Sequence, residues 1–206
     1  MTAHASHVQA TALSARILVQ TSTIAAMEED VAADVVRRLE ALGVDYCITG
    51  SEALPRYGEP RQTADIDIVL AMPIRDFGRI RAAFEADYVV NEPIVAQGRA
   101  MASVVAQSGL GKADLILDRD DAWARSAMAR REAWDHPRLG RVWVLSLEDL
   151  ILAKLEWSGG ISELQLRDCA NLLRTNAPAV NWSYLERYAN VLGVEGILAR
   201  LRAASA

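Results

Sequence analysis

The stretch from Tyr46 to Leu70, YCITGSEALPRYGEPRQTADIDIVL, constrains this chain more than any other. A short apolar run, Tyr46 to Thr49, stops at Gly50-Ser51. A second run, Thr63 to Leu70, carries Asp65 and Asp67 with only Ile66 between them. Side chains alternate faces along a strand, so the two carboxylates share one face, roughly 6–7 Å apart at about 3.3 Å per residue. Ile66, Ile68 and Leu70 fill the other face. Like charges placed in this way repel, and folding alone gains nothing from them. A divalent cation removes the repulsion, and carboxylate oxygens are hard ligands suited to magnesium or manganese. The reading without chemistry is a polar face on an edge strand.

The turn before the second run supplies a complement. A short helix is predicted after Gly50-Ser51, and a helix N-terminus offers unpaired N–H groups and partial positive charge to an anion. Ser51 can cap that helix or offer its hydroxyl to a phosphate, and Gly50 allows close approach to the backbone. A phosphate site beside a carboxylate pair suggests phosphoryl or nucleotidyl transfer. A third carboxylate, Asp114, interrupts the apolar run Lys112 to Leu117, with Asp118 at its end as the fallback.

The string Gly50-Ser51-Glu52-Ala53, then Gly58-Glu59-Pro60-Arg61-Gln62-Thr63-Ala64-Asp65-Ile66-Asp67, resembles the polymerase-beta-type nucleotidyltransferases. It is similar to their bacterial minimal branch, which includes AbiEii-like toxin proteins. The resemblance covers roughly residues 30–200 and is strongest at 48–68 and 146–170. It implies a transferase that moves a nucleoside monophosphate from an NTP to an acceptor hydroxyl and releases pyrophosphate. It implies Asp65, Asp67 and Asp114 as catalytic residues that hold Mg2+ or Mn2+; Asp114 matches the acidic position of a Lys-x-Asp string on a neighbouring strand. It assigns Gly50, Ser51, Arg61, Thr63 and Lys154 to the nucleotide. Related chains act on tRNA ends, proteins or small antibiotics, and a toxin-antitoxin role with an antitoxin partner belongs to the same resemblance. The competing class is a catalytically inactive shell of this fold that serves as an interaction module.

The expected fold is α/β: a small mixed, twisted sheet flanked by helices, followed by a C-terminal helical unit. Residues 1–22 read as a loose extension, 23–145 as the nucleotidyltransferase core and 146–206 as the helical unit. Thr23 to Leu42 is predicted as a helix with a stripe at Met27, Val31, Val35 and Leu39, ended by Gly43. Ile74 to Ala86 is predicted helical, Tyr88 to Val90 a strand and Pro93 to Arg99 a turn of helix. Ala100 to Gln107 and Lys112 to Leu117 form a predicted hairpin. Asp120 to Arg131 follows as a helix, and two strands meet around His136 to Gly140. Ser146 opens a run of helices that starts with early acids. Lys154 sits in an apolar run, where a lysine is costly unless paired. It either reaches the nucleotide phosphates or pairs with Asp168.

The 206 residues carry 22 Lys+Arg against 27 Asp+Glu, a net charge of −5, which argues against a generally basic nucleic-acid binder. Six arginines in 119–141 offer a local exception, interleaved with Asp120, Asp121, Glu132 and Asp135. The two cysteines, Cys47 and Cys169, lack metal-ligand spacing and lie in apolar patterns, so buried thiols and a cytoplasmic setting are expected. No run of about 18 apolar residues suits a membrane span, and the start lacks the pattern of a signal peptide.

Overall fold

A computed structural model describes residues 31–96, 98–108, 111–117 and 119–205. The predicted extension 1–22, the first part of the predicted helix at 23–30 and the fallback carboxylate Asp118 lie outside these residues.

The sheet grows around the carboxylate strand. Its strands are β1 (Tyr46–Thr49), β2 (Asp65–Leu70), β3 (Tyr88–Val90), β4 (Ile94–Ala96), β5 (Arg99–Ala106), β6 (Lys112–Leu117), β7 (Glu132–His136) and β8 (Gly140–Val144). They join in the order β3-β5-β6-β2-β1-β8-β7, with β4 on β5. Pairing of β1 with β2, and of β5 with β6, is antiparallel, whereas β2 with β6 and β1 with β8 is parallel. The mixture is the expected one. In both β2 and β6 burial alternates residue by residue. One row, with Ile66, Ile68, Leu70, Ala113 and Leu115, enters the core; the other carries Asp65, Asp67, Lys112 and Asp114.

The buried row is backed by α1 (31–41) and α2 (Gly78–Phe84), which bury Val35, Leu39, Ile80 and Phe84. Arg38 ties the two helices, donating from Nη1 to the Ala83 carbonyl at 2.9 Å. The polar row is roofed by α3 (Ala122–Ala129) and α4 (Leu147–Ser158). Both helices start as their sequence dictates: Asp121 accepts from the Ala124 amide at 2.7 Å, and Ser146 caps α4 through the Asp149 amide. The chain ends in α5 (Glu163–Thr175), α6 (Trp182–Leu192) and α7 (Glu195–Ser205), with α5 packed on α4.

Two local expectations fail. No α-helix follows Gly50-Ser51; the chain makes turns and one three-residue 3-10 helix, Leu54–Arg56, with Pro55 inside it. Proline has no N–H to continue an α ladder, and Gly58 follows two residues later, so the segment never gains the aligned amides of a long helix. The second failure is Pro93 to Arg99, where β4 and β5 make a hairpin through Gly98 at φ +74°. The β-branched Ile94 and Val95 and the left-handed glycine favour that hairpin over a helical turn.

Candidate active site

Strand register gathers the acids. Across the parallel pair Asp67 lies beside Asp114 and Asp65 beside Lys112; across the antiparallel pair Asp67 lies beside Thr49. The three predicted carboxylates therefore share one patch of one sheet face, although 47 positions separate Asp67 from Asp114 in the chain. The Lys112 ammonium stands between two of them, 3.0 Å from Asp65 Oδ2 and 2.9 Å from Asp114 Oδ2. These contacts raise its pKa, the Asp114 hydrogen bond foremost. Ser103, opposite Asp114 on β5, donates to Asp114 Oδ1 at 2.6 Å.

Asp67 is the frustrated member. Burial, and then the Asp114 charge, push its carboxyl up to about 6. Gly50 is pressed against it: at φ +65° a Cβ on Gly50 would fall 2.0 Å from Asp67 Oδ2. No side chain fits there, and only glycine adopts that backbone at little cost. The glycine of the Gly-Ser pair thus makes room for a carboxylate.

Among the described residues, no group of three carboxylate, imidazole or thiol side chains is arranged to hold a metal ion. The donors nevertheless suit magnesium or manganese in kind. They are hard oxygens of like charge, and two ammoniums, Lys112 and Lys154, offset them locally.

The predicted nucleotide residues form a second cluster beside the first. Ser51 is buried, and its hydroxyl accepts a hydrogen bond from Arg61 Nη2. Arg61 Nε lies 3.6 Å from Asp168 Oδ2. The same carboxylate oxygen takes Lys154 Nζ at 2.9 Å, and Gln165 Oε1 accepts from Lys154 at 3.0 Å. Lys154 is only 3% exposed. It pairs with Asp168 and also acts on Asp67 through its charge, lowering the carboxyl's tendency to hold a proton. The pairing with Asp168 weighed for Lys154 is present: Asp168 on α5 fixes the ammonium in place beside the carboxylate face. Thr63 takes no part in this cluster, because its hydroxyl turns back to the Asp65 backbone, donating to the carbonyl at 3.0 Å.

Most of the arginines of 119–141 meet acids of the protein itself. Arg130 reaches Glu148 and Asp149, Arg131 reaches Asp45 at 2.8 Å, and Arg125 reaches Asp120 at 2.7 Å. His136 is buried; its Nδ1 accepts from the amides of Arg138 and Leu139, and its Nε2 lies 2.9 Å from Glu52. Cys47 and Cys169 are buried free thiols. Residue-by-residue reading passed over Thr49, Ser103, Lys112 and Gln165. A period-2 reading of the predicted β5–β6 hairpin could have placed Ser103 and Lys112 on the face of Asp114; Gln165 is brought in only by helix packing.

No protein-family model matches the chain, and no curated protein does. Solved structures do. ANT(2")-Ia in complex with adenylyl-2"-tobramycin aligns at a TM-score of 0.53 and 15% identity, covering 87% of this chain and 99% of that one. The solution structure of the antibiotic-resistance factor ANT(2")-Ia aligns at 0.51 and 14%, covering 89% and 95%. An antigenic nucleotidyltransferase-like protein from Paracoccidioides brasiliensis is 17% identical at a TM-score of 0.49, covering 84% and 90%. Identities this low speak for architecture alone: the chain has the nucleotidyltransferase fold.

Proposed function

We propose that this protein is a metal-dependent nucleotidyltransferase that moves a nucleoside monophosphate from an NTP to an acceptor hydroxyl. The observation that carries the reading is the β2–β6 register, which sets Asp67 beside Asp114 on the face of Asp65, with the Gly50 backbone against Asp67. Asp65, Asp67 and Asp114 would hold magnesium or manganese, which would make the acceptor hydroxyl more acidic and offset charge at the α-phosphate. Ser51, Arg61 and Lys154 bind the β and γ phosphates, and Asp168 holds the two cations ready. The acceptor oxygen bonds to the α-phosphorus, the bond to the β-phosphate oxygen breaks, and pyrophosphate leaves. Asp114, oriented by Ser103, takes the hydroxyl proton.

The Lys112 contacts favour a second reading. An ammonium that already spans Asp65 and Asp114 could replace a metal and leave a nucleotide-binding shell without chemistry. Incubation with each α-labelled NTP, magnesium or manganese, and cell extract separates the two. Label transferred by the intact protein and not by the Asp65→Asn/Asp67→Asn double variant supports the enzyme. Tight NTP binding without transfer to any RNA, protein or small molecule supports the shell.

A further inference from the structure

A cavity of about 170 Å3 opens on the carboxylate face and runs along the sheet under α3 and α4. Asp67, Gly50, Lys154 and Gln165 border one end, and Arg99, Arg119 and Glu156 border the other. Between them the walls are apolar, with Val69, Met101, Ile116 and the indoles of Trp123 and Trp157. The middle strands of a sheet this deep would ordinarily bury such a face completely; here Val69, Met101 and Ile116 stay partly exposed.

The far end holds two guanidiniums in ion pairs. The Arg99 and Arg119 guanidiniums converge on one carboxylate, Glu156, and each lies 5.3 Å from an indole centroid, Arg99 over Trp157 and Arg119 over Trp123. Arg119 also reaches Asp121 at 2.6 Å. The Arg99 side chain is 11% exposed, and among the described residues Glu156 is its sole acidic partner. A guanidinium has several N–H donors in a planar fork, so most of those of Arg99 are left for another acceptor. The near end has its own unmet group. Thr49, 4% exposed and beside Asp67 in register, has a hydroxyl with no hydrogen-bond partner among the described residues.

We infer that this cavity is the acceptor site, and that the acceptor is a small, largely apolar alcohol or phenol bearing an acid group. This rests on the transferase reading above. The acceptor hydroxyl meets Thr49 and the carboxylates, the apolar body lies between Met101, Ile116 and the indoles, and the acid group binds Arg99 and Arg119. The volume lies below the roughly 300–1,000 Å3 of pockets for drug-sized ligands, which favours a compact molecule. A polycation would face two guanidiniums across a partly dry wall, an arrangement that disfavours it.

The test uses three phenols on one skeleton: 3-(4-hydroxyphenyl)propionate (anionic), tyrosol (neutral) and tyramine (cationic). Each is titrated calorimetrically into the full chain, with NTP and magnesium titrated separately. The acid should bind roughly 10-fold or more tighter than tyrosol, with tyramine weakest, the scale of one charge-assisted contact. Arg99→Gln should erase the preference for the acid while NTP binding persists. Met101→Trp, which fills the cavity, should abolish binding of all three. Tyramine binding as well as the acid overturns the inference. So does no binding of any phenol at about 10 mM, a threshold worth only about 3 kcal/mol, or label passing only to macromolecules. Failure of NTP and magnesium to bind, with the acid still bound through Arg99, overturns the transferase reading and leaves the acid site standing.

Discussion

Two aspartates, one fully buried and one partly, behave in opposite ways in this molecule. Asp149, fully buried at the start of α4, is surrounded by donors. Ser146 Oγ reaches it at 2.6 Å, Tyr184 OH at 2.8 Å, Trp123 Nε1 at 3.0 Å and Arg130 Nε at 3.3 Å. Burial pushes its carboxyl upward, and these donors pull it back. Asp67 is less buried and far less content. Among the described residues no hydrogen bond supports its carboxylate, and two other carboxylates face it. The first aspartate ties α3, α4 and α6 together. The second carries an unmet charge that a ligand can satisfy. A buried acid is evidence for function when its surroundings leave it unsatisfied, and evidence for structure when they do not.

Substitution should break the comparison cleanly. Asp67→Asn is expected to lower labelled NMP transfer by at least about 1,000-fold, the scale of removing a main electrostatic stabiliser, with a far-ultraviolet circular dichroism spectrum like the parent's. An active Asp67→Asn protein would end the metal reading of that residue. Asp149→Ala should instead unfold the protein or cost about 3–5 kcal/mol in urea denaturation, because it strands the buried Trp123 N–H and the partly buried Arg130 and Tyr184 donors. A mild Asp149→Ala effect would erase the contrast.

Gly50→Ala ranks next. Its Cβ would collide with Asp67 Oδ2, and the left-handed backbone penalises alanine by about 1–2 kcal/mol. Thermal melting should register that loss, and transfer should fall further than stability explains because Asp67 must move. A fully active Gly50→Ala protein would show that the close approach is dispensable.

The pH dependence sharpens the same point. Asp67 has its folded pKa raised to about 6 above an ordinary value of 3.8. The favourable condition is therefore the protonated one at low pH, and stability is lost as pH rises through about 6. Asp67→Asn removes this loss. It should match the parent near pH 4 and exceed it by about 2–3 kcal/mol at pH 8, at about 1.4 kcal/mol per pKa unit. Equal stabilities at pH 8 would show that Lys112 and Lys154 offset the repulsion fully. The smallest effect belongs to the surface: Arg125→Ala removes an exposed pair with Asp120 and should shift stability by less than about 0.5 kcal/mol. A larger loss would mean that the α3 start depends on that side chain.

Much of the fold could be read from local pattern, because the signals were local. The Asp65–Leu70 alternation, the Ser146 start and the Gly43 stop each depend on neighbours a few residues away. The helix expected after Ser51 failed because Pro55 and the nearby Gly58 outweighed the motif. The helical turn expected at 93–99 failed because strand pairing with β5 rewarded Ile94 and Val95 more than local helix formation would.

The sequence by itself determined the chemistry available: three aspartates, two of them fixed on one face by a period of two, a Gly-Ser turn and a lysine in an apolar run. Only the tertiary structure decided how these meet. Strand order placed β6 next to β2 and so Asp114 beside Asp67, and the packing of α5 on α4 gave Lys154 its Asp168. It also decided that Arg99, Arg119 and Glu156 close one end of a cavity whose other end is Asp67. Such contacts join residues 14 or more positions apart, and no periodicity encodes them; they follow from which surfaces bury together once the sheet has formed.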